Sequence, residues 1–158
     1  MVEIYEQEEA SVDQSDIQFA IDRGRGGKTE FYTTIPDDKV KLAITACALA
    51  NNGGGQILLG VDKSGNAIGV DDTTIEENAK ETLNQNLRRP LDRKYVTSDV
   101  EIDGETIVVI LIDEFKKYPL TADGRFYVRH QDEDHLLKPP EVWELMSRNL
   151  QTGNSDGK

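Results

Sequence analysis

Arg23, Arg25 and Lys28 stand within the short stretch RGRGGK. Three cations spaced by glycines can fold around phosphate groups, because the glycines let the backbone curve toward an anion. Asp62 follows directly on the apolar run 56–61. That places a carboxylate at a strand end beside a tight turn, where functional groups are often mounted on a rigid scaffold. His130 and His135 flank the acidic stretch QDED, with no cysteine near them. Two imidazoles fall short of a zinc ligand set, and the segment reads as a solvated turn after a strand. Cys47 lies among apolar residues and reads as a small core residue rather than a nucleophile. A second basic group, Arg88, Arg89, Arg93 and Lys94, falls at a helix end, where cations offset the helix dipole. The glycine turn in NNGGGQ lacks the Lys-Ser/Thr pair of a phosphate-binding loop, and it follows a helix instead of opening one. ATP binding is therefore not expected.

The elements that must position these groups can be read from pattern. Ser15 or Asp16 can cap a short helix running to about Arg23, with Ile17 and Ala20 inward. Residues 30–35 favour a strand that Pro36 ends. Asp37 or Asp38 then caps a helix to about Asn51, whose buried stripe would be Val40, Ala43, Ile44, Cys47 and Ala48 at helical spacing. Gly53, Gly54 and Gly55 make a turn, since glycine reaches positive φ at little cost. Strands at 56–61 and 67–70 follow, joined by a Ser64–Gly65–Asn66 turn. Thr74 and Glu77 fit a capping box for a helix running to about Arg89, which Pro90 ends. Residues 95–102 and 106–113 read as a hairpin around Asp103 and Gly104. A strand at 125–130 and a helix at 141–148 complete the pattern, with Val142, Trp143 and Met146 as its packing face. The prediction is an α+β fold in one compact domain, 15–150. Its sheet is mixed or mostly antiparallel, and three to four helices pack against it. An acidic tail, 1–14, precedes the domain and a polar tail, 151–158, follows it.

At 158 residues the chain is long enough for one proper core. No apolar run approaches the roughly 18–20 residues needed to cross a bilayer, so no membrane partner is expected. The N-terminus lacks the basic-then-apolar order of a signal peptide, and a single cysteine allows no intrachain disulfide. A reducing, cytoplasmic location is expected. The net charge is −12, and Glu3, Glu6, Glu8, Glu9 and Asp13 in the first 14 residues supply five of the negative charges. Such a balance argues against a general binder of phosphate backbones, which normally gains affinity through Lys and Arg. It also suits a surface kept hydrated in a salty cytoplasm.

The segment ANNGGGQILLGVDKSGNAIGV resembles the central signature of the Schlafen-type AlbA-like domain, also labelled a divergent ATPase domain. Glu30 and Phe31 match that family's Glu-Phe pair on the preceding strand. The apolar strand 107–112, Pro119 and the aromatic-Val-Arg run 126–129 match its downstream pieces. The ordered set covers about residues 17–146. The resemblance implies nucleic-acid binding. Some members also cleave RNA, with clustered carboxylates holding a divalent ion such as Mg or Mn that activates water. Carried over by position, Glu30 and Asp62 would be the catalytic and metal-binding carboxylates, and Arg129 the family's strand arginine. Arg25 falls where the family has its first Glu, Tyr32 where a Lys often follows Glu-Phe, and His130 where a Gly usually stands. A swap of Glu for Arg reverses charge and cannot keep a metal-ligand role. The same change favours binding, with Arg23, Arg25, Lys28 and Arg129 as contacts to RNA or single-stranded DNA.

The expected function is therefore a nucleic-acid-binding module that is weakly catalytic or non-catalytic. One alternative is a metal-dependent ribonuclease using Glu30 and Asp62. Another is a protein-interaction or regulatory module without nucleic-acid binding, which the acidity favours. An exposed strand edge could also pair two copies in a homodimer.

Overall fold

The computed structural model describes residues 12–71, 74–86, 95–114 and 119–156. The acidic segment up to residue 11, the basic group Arg88, Arg89, Arg93 and Lys94, and Pro90 lie outside the described residues. In chain order the elements are α1 (Gln14–Arg23), β1 (Thr29–Tyr32), α2 (Lys39–Ala50), β2 (Gly55–Leu59), α3 (Thr74–Asn86), β3 (Tyr95–Ile102), β4 (Glu105–Ile112), β5 (Tyr127–His130), β6 (Glu133–Leu136) and α4 (Pro139–Asp156). A four-stranded sheet has the order β1-β2-β4-β3. Its β1–β2 pair is parallel, while β2–β4 and β3–β4 are antiparallel. Strands β5 and β6 form a separate antiparallel pair. This is a small α+β domain with a mixed sheet. Among the described residues no helix is long and apolar enough to cross a membrane.

Alternation along the strands builds two cores. On one face Phe31, Leu58, Ile107 and Val109 pack with Ile17 and Ile21 of α1. On the other, Ile57, Leu59, Val108 and Ile110 pack against α2 and α3. Helix α2 lies between the sheet and the β5–β6 pair. This sandwiching corrects the expected single stripe. Leu42, Ala43, Thr45, Ala46, Cys47, Ala48, Leu49 and Ala50 are all buried, whereas Val40 and Ile44 are only half-buried. Four alanines let both neighbouring layers approach this helix closely. Burial pushes the Cys47 thiol up to about 12, and it donates to the Leu120 carbonyl. Such a thiol is inert at neutral pH.

Several boundaries differ from the pattern reading. The N-cap of α1 is Asp13, whose side chain accepts from Ser15 N. Strand β1 stops at Tyr32, and the fifth strand begins at Tyr127. Residues 67–70 form no strand. Ala67 makes one isolated bridge to Val61, and the Ile68 and Gly69 amides both donate to Gly60 O, which curls the segment out of the sheet. Strand β6 has no apolar alternation to announce it in EDHL. Pairing with β5 orders it. The last helix runs well past Arg148.

The end of α2 is a junction. Asn51 caps the helix, and its buried amide donates to Leu120 O at 3.0 Å and Tyr127 O at 2.9 Å. Its side-chain oxygen accepts from Leu120 N at 2.9 Å. One side chain thus fastens the helix to the strand that will carry Arg129. Gly54 N then donates to Leu49 O, with φ at 88°. A Cβ at Gly54 would lie 2.7 Å from Ile112 O, part of the neighbouring backbone. Gly54→Val is therefore expected to lower the thermal midpoint, since the backbone conformation alone costs about 1–3 kcal/mol for a non-glycine residue. An unchanged melt would show that the turn relaxes without loss.

Candidate functional site

Strand β1 is an edge strand of the four-stranded sheet. Lys28 O and Tyr32 O accept from Gln56 N and Gly60 N on the β2 side. Alternation therefore turns the backbone groups of Thr29 and Phe31 away from the sheet. Each of these outward groups that the bonds account for meets a charged side chain or the preceding loop. Phe31 N donates to Glu30 Oε1 at 2.8 Å, and Phe31 O accepts from Lys63 Nζ at 2.5 Å. Thr29 O accepts from Arg129 Nη2 at 3.2 Å and from Gly26 N at 2.9 Å. Bare edges invite pairing with other chains, and charged side chains blunt them.

The same side chains form one ion network. Arg25 Nε lies 2.5 Å from Glu30 Oε1, and its Nη2 lies 3.2 Å from Glu30 Oε2. Lys63 Nζ stands 3.3 Å from Glu30 Oε1, and Arg129 Nη2 stands 3.3 Å from Oε2. Arg129 also donates from Nη1 to Asp134 Oδ1 at 2.7 Å and from Nε to Gly26 O at 3.0 Å. Asp134 sits directly opposite Arg129 across the β5–β6 pair. Its second oxygen accepts from Thr45 Oγ1 at 2.6 Å. The Thr45 proton being used there, Tyr32 OH donates to Thr45 at 2.7 Å. Arg25 reaches onward to Asp132, through its backbone oxygen at 3.1 Å and its carboxylate at 3.4 Å.

Burial makes this network consequential. The Arg129 side chain is 0% exposed, that of Glu30 4% and that of Asp134 5%. Burial pushes the Glu30 carboxyl up. The Arg25 bond, the Phe31 amide and the charges of Arg129 and Lys63 outweigh it and hold the group below its usual range. The Arg25 pKa is raised by its bond to Glu30. Lys63 goes down, because burial outweighs the attraction of Glu30, and its ammonium lies 4.2 Å from the centre of the Tyr32 ring. Burial raises Tyr32 to about 12. Among the described residues no buried side-chain nitrogen or oxygen lacks a partner.

The structure thus brings Arg25, Glu30 and Arg129 together, and places Arg23, Lys28 and Asp62 outside their network. Asp62 closes its own turn. Its carboxylate accepts from Ser64 N, Asn66 N and Asn66 Nδ2 at 2.9–3.1 Å. The Asn66 amide leads in holding its pKa down. Glu30 and Asp62 share no bonding partner. A divalent ion does not fit here. Both oxygens of Glu30 face cationic donors, those of Asp62 face its turn, and no cluster of three metal-ligating groups exists among the described residues. Lys28 is exposed and donates to Asn52 O at 3.0 Å, while exposed Arg23 lies over the Phe19 ring. His130 and His135 stack with centroids 4.6 Å apart, and His135 Nε2 meets Glu141 Oε2 at 3.2 Å.

Pattern reading missed Lys63, Asp132, Asp134, Thr45 and Tyr32 as members of the network. The signal for Asp134 was present in QDED. A tight turn at Gln131 and Asp132 sets Arg129 opposite Asp134, and Gln131 takes φ 56° to make it. Thr45 lay hidden because α2 was read as having a single buried face.

Removing Arg129 leaves buried Asp134 without its cation, takes one of three cations from buried Glu30, and frees the Gly26 and Thr29 carbonyls of a donor. Arg129→Ala is expected to cost about 3–5 kcal/mol in chemical denaturation. A loss below about 1 kcal/mol would show the network to be dispensable. Glu30 also predicts an acid limb. Its folded pKa is depressed, so its stabilisation is complete above the unfolded value near about pH 4.3 and disappears as pH falls through the folded value. Melting midpoints measured through this range should fall with acid, and less steeply for Glu30→Gln.

Comparisons with known proteins bear on what this network belongs to. The family model for Schlafen, AlbA_2 matches residues 26–138, a span holding Glu30, Asp62 and Arg129. No curated protein matches the chain. The crystal structure of the DIP2311 protein from Corynebacterium diphtheriae is similar over 75% of this chain, with a TM-score of 0.55 and 19% identity, which speaks to fold alone. This chain spans only 23% of that protein. A solution structure from Nitrosomonas europaea, the N-terminal domain of a putative ATP-dependent DNA helicase RecG-related protein, aligns over 66% of this chain and 74% of its own, with a TM-score of 0.49 and 18% identity. The family match extends from the loop that Arg129 fastens to the end of the β5–β6 pair, and the chain belongs to the Schlafen AlbA_2 family.

Proposed function

We propose that this chain is a non-catalytic nucleic-acid-binding module that takes single-stranded RNA or DNA along the loop 23–28, in a reducing cytoplasm. The non-catalytic part rests on one observation. The Glu30 carboxylate is enclosed by Arg25, Arg129, Lys63 and the Phe31 amide, so it has no oxygen to offer a metal ion or a water. Arg25 supplies the positive charge that a divalent ion would otherwise bring to this carboxylate.

The binding part rests on family membership and on the division of labour in the loop. Arg129 holds Gly26 O and Thr29 O, and Gly26 N closes onto Thr29 O, so the loop has a fixed shape. Arg129 is buried and acts by positioning that loop. Arg23 and Lys28 are exposed at the loop's two ends, and half-exposed Lys63 extends the basic edge. Phosphate contacts from such residues fix a strand in place without reading its sequence.

Titrating labelled single-stranded RNA and DNA with the protein at several salt concentrations tests this. Weak binding that declines with salt is expected, with slow or no cleavage in magnesium or manganese. The double variant Arg23→Ala, Lys28→Ala should weaken binding and flatten the salt slope by up to about two charges. Robust cleavage abolished by Asp62→Asn would put the metal-dependent ribonuclease in front. Absence of binding at the lowest salt would favour the interaction module.

A further inference from the structure

The chain holds a single Asn-Gly step, Asn52–Gly53, in the turn that leaves α2. Such a step carries latent chemistry. The backbone nitrogen of the following residue can attack the asparagine side-chain amide and close a five-membered ring. Glycine permits this most readily, because no Cβ hinders the approach. The two adjacent asparagines are placed very differently. Asn51 is buried, and its side chain is held by both backbone groups of Leu120 and by Tyr127 O. Asn52 is exposed, and its side-chain amide makes one long contact, 3.5 Å to Gly27 O. The amides of Asn52 and Gly54 both donate to Leu49 O, whereas Gly53 N between them has no hydrogen-bond partner among the described residues.

Lys28 makes this step more than a sequence feature. Its ammonium donates to Asn52 O at 3.0 Å, and a Cβ at Gly53 would lie 2.6 Å from the same nitrogen. Asn52 O and Gly53 N belong to one peptide group. When that nitrogen loses its proton, resonance shares the negative charge with the oxygen. A cation bonded to the oxygen favours the ionised form. Lys28 therefore stands where it promotes the nucleophile of ring closure.

We propose that Asn52 is a site of self-modification, deamidated through Gly53 N with Lys28 as the promoting group. Hydroxide takes the Gly53 N proton and becomes water. The nitrogen then bonds to Asn52 Cγ, the Cγ–Nδ2 bond breaks, and Nδ2 takes a proton from water and leaves as ammonia. A further water opens the ring. Attack at Cγ restores the ordinary backbone with aspartate at position 52. Attack at the backbone carbonyl gives isoaspartate, which adds a methylene to the main chain. Water is the sole co-reactant. Either product sets a new carboxylate beside the Lys28 ammonium and removes the donor to Gly27 O. The reaction itself does not depend on nucleic-acid binding; competition of that carboxylate with phosphate for Lys28 rests on the function proposed above.

Incubating the purified full chain at mildly alkaline pH and low salt tests this, with released ammonia assayed and peptides mapped by mass spectrometry. Asn52 should convert to a mixture of aspartate and isoaspartate, while Asn51 and Asn66, which no glycine follows, stay intact. Lys28→Gln should slow the conversion several-fold in the folded chain. In denaturant no ammonium is held at the Asn52 oxygen, so wild type and Lys28→Gln should convert at the same rate. Lys28 is exposed, so the fold should survive its substitution, and circular dichroism checks that. A folded wild-type chain whose Asn52 stays intact while the denatured chain converts overturns the proposal, because the turn then blocks ring closure. Equal rates for folded wild type and folded Lys28→Gln overturn it as well. So does a slowing by Lys28→Gln that persists in denaturant.

Discussion

The buried guanidinium of Arg129 is the constraint on which the rest of this structure depends. Its five donors sit in a rigid planar fork. They reach two carboxylates, Glu30 and Asp134, and two carbonyls, Gly26 and Thr29. Those four partners come from the edge strand, the loop before it and the strand opposite. A lysine offers no such fork. Because the group is fully buried, each contact it loses leaves a polar atom without water to replace it. The observed arrangement of the β5–β6 pair against β1 satisfies all these atoms together, and Asn51 holds the other end of β5 through the Tyr127 carbonyl.

This has a direct bearing on chemistry. A carboxylate can serve a metal only if its oxygens are free to coordinate it. Glu30 faces three cations, and Asp134, which could have been a second ligand, is divided between Arg129 and Thr45. The position on which the family resemblance would set a carboxylate holds Arg25, and that side chain closes the site with its own charge. The result is a site that is electrostatically complete without a bound ion, and whose effect is to keep the loop 23–28 in one shape.

Much of the fold was legible because it follows from periodicity and punctuation. The β3–β4 pair around Asp103 and Gly104, the Asp38 cap and the glycine turn all have local causes. The family signature led to Glu30 and Arg129 and flagged Arg25 as a departure. What stayed hidden was non-local. Strand β6 is ordered by pairing with β5, where Asp134 meets Arg129, and α2 is buried on two sides because β5 and β6 cover the side turned from the sheet. Asp62 stands at a strand end as the pattern indicated, and its oxygens accept from the backbone of the turn that follows.

Charge ties stability to binding. Within the network Arg25, Lys63 and Arg129 balance Glu30, Asp132 and Asp134, so the excess negative charge of the chain resides elsewhere. Added salt screens that self-repulsion and helps the folded state, while the buried pairs are screened much less. Phosphate contacts respond in the opposite sense, since salt removes the gain from releasing counterions. The two effects therefore separate. Under the proposed function, a decline in nucleic-acid binding with salt would therefore come from weakened contacts and not from unfolding, because the fold that presents them is strengthened over the same range.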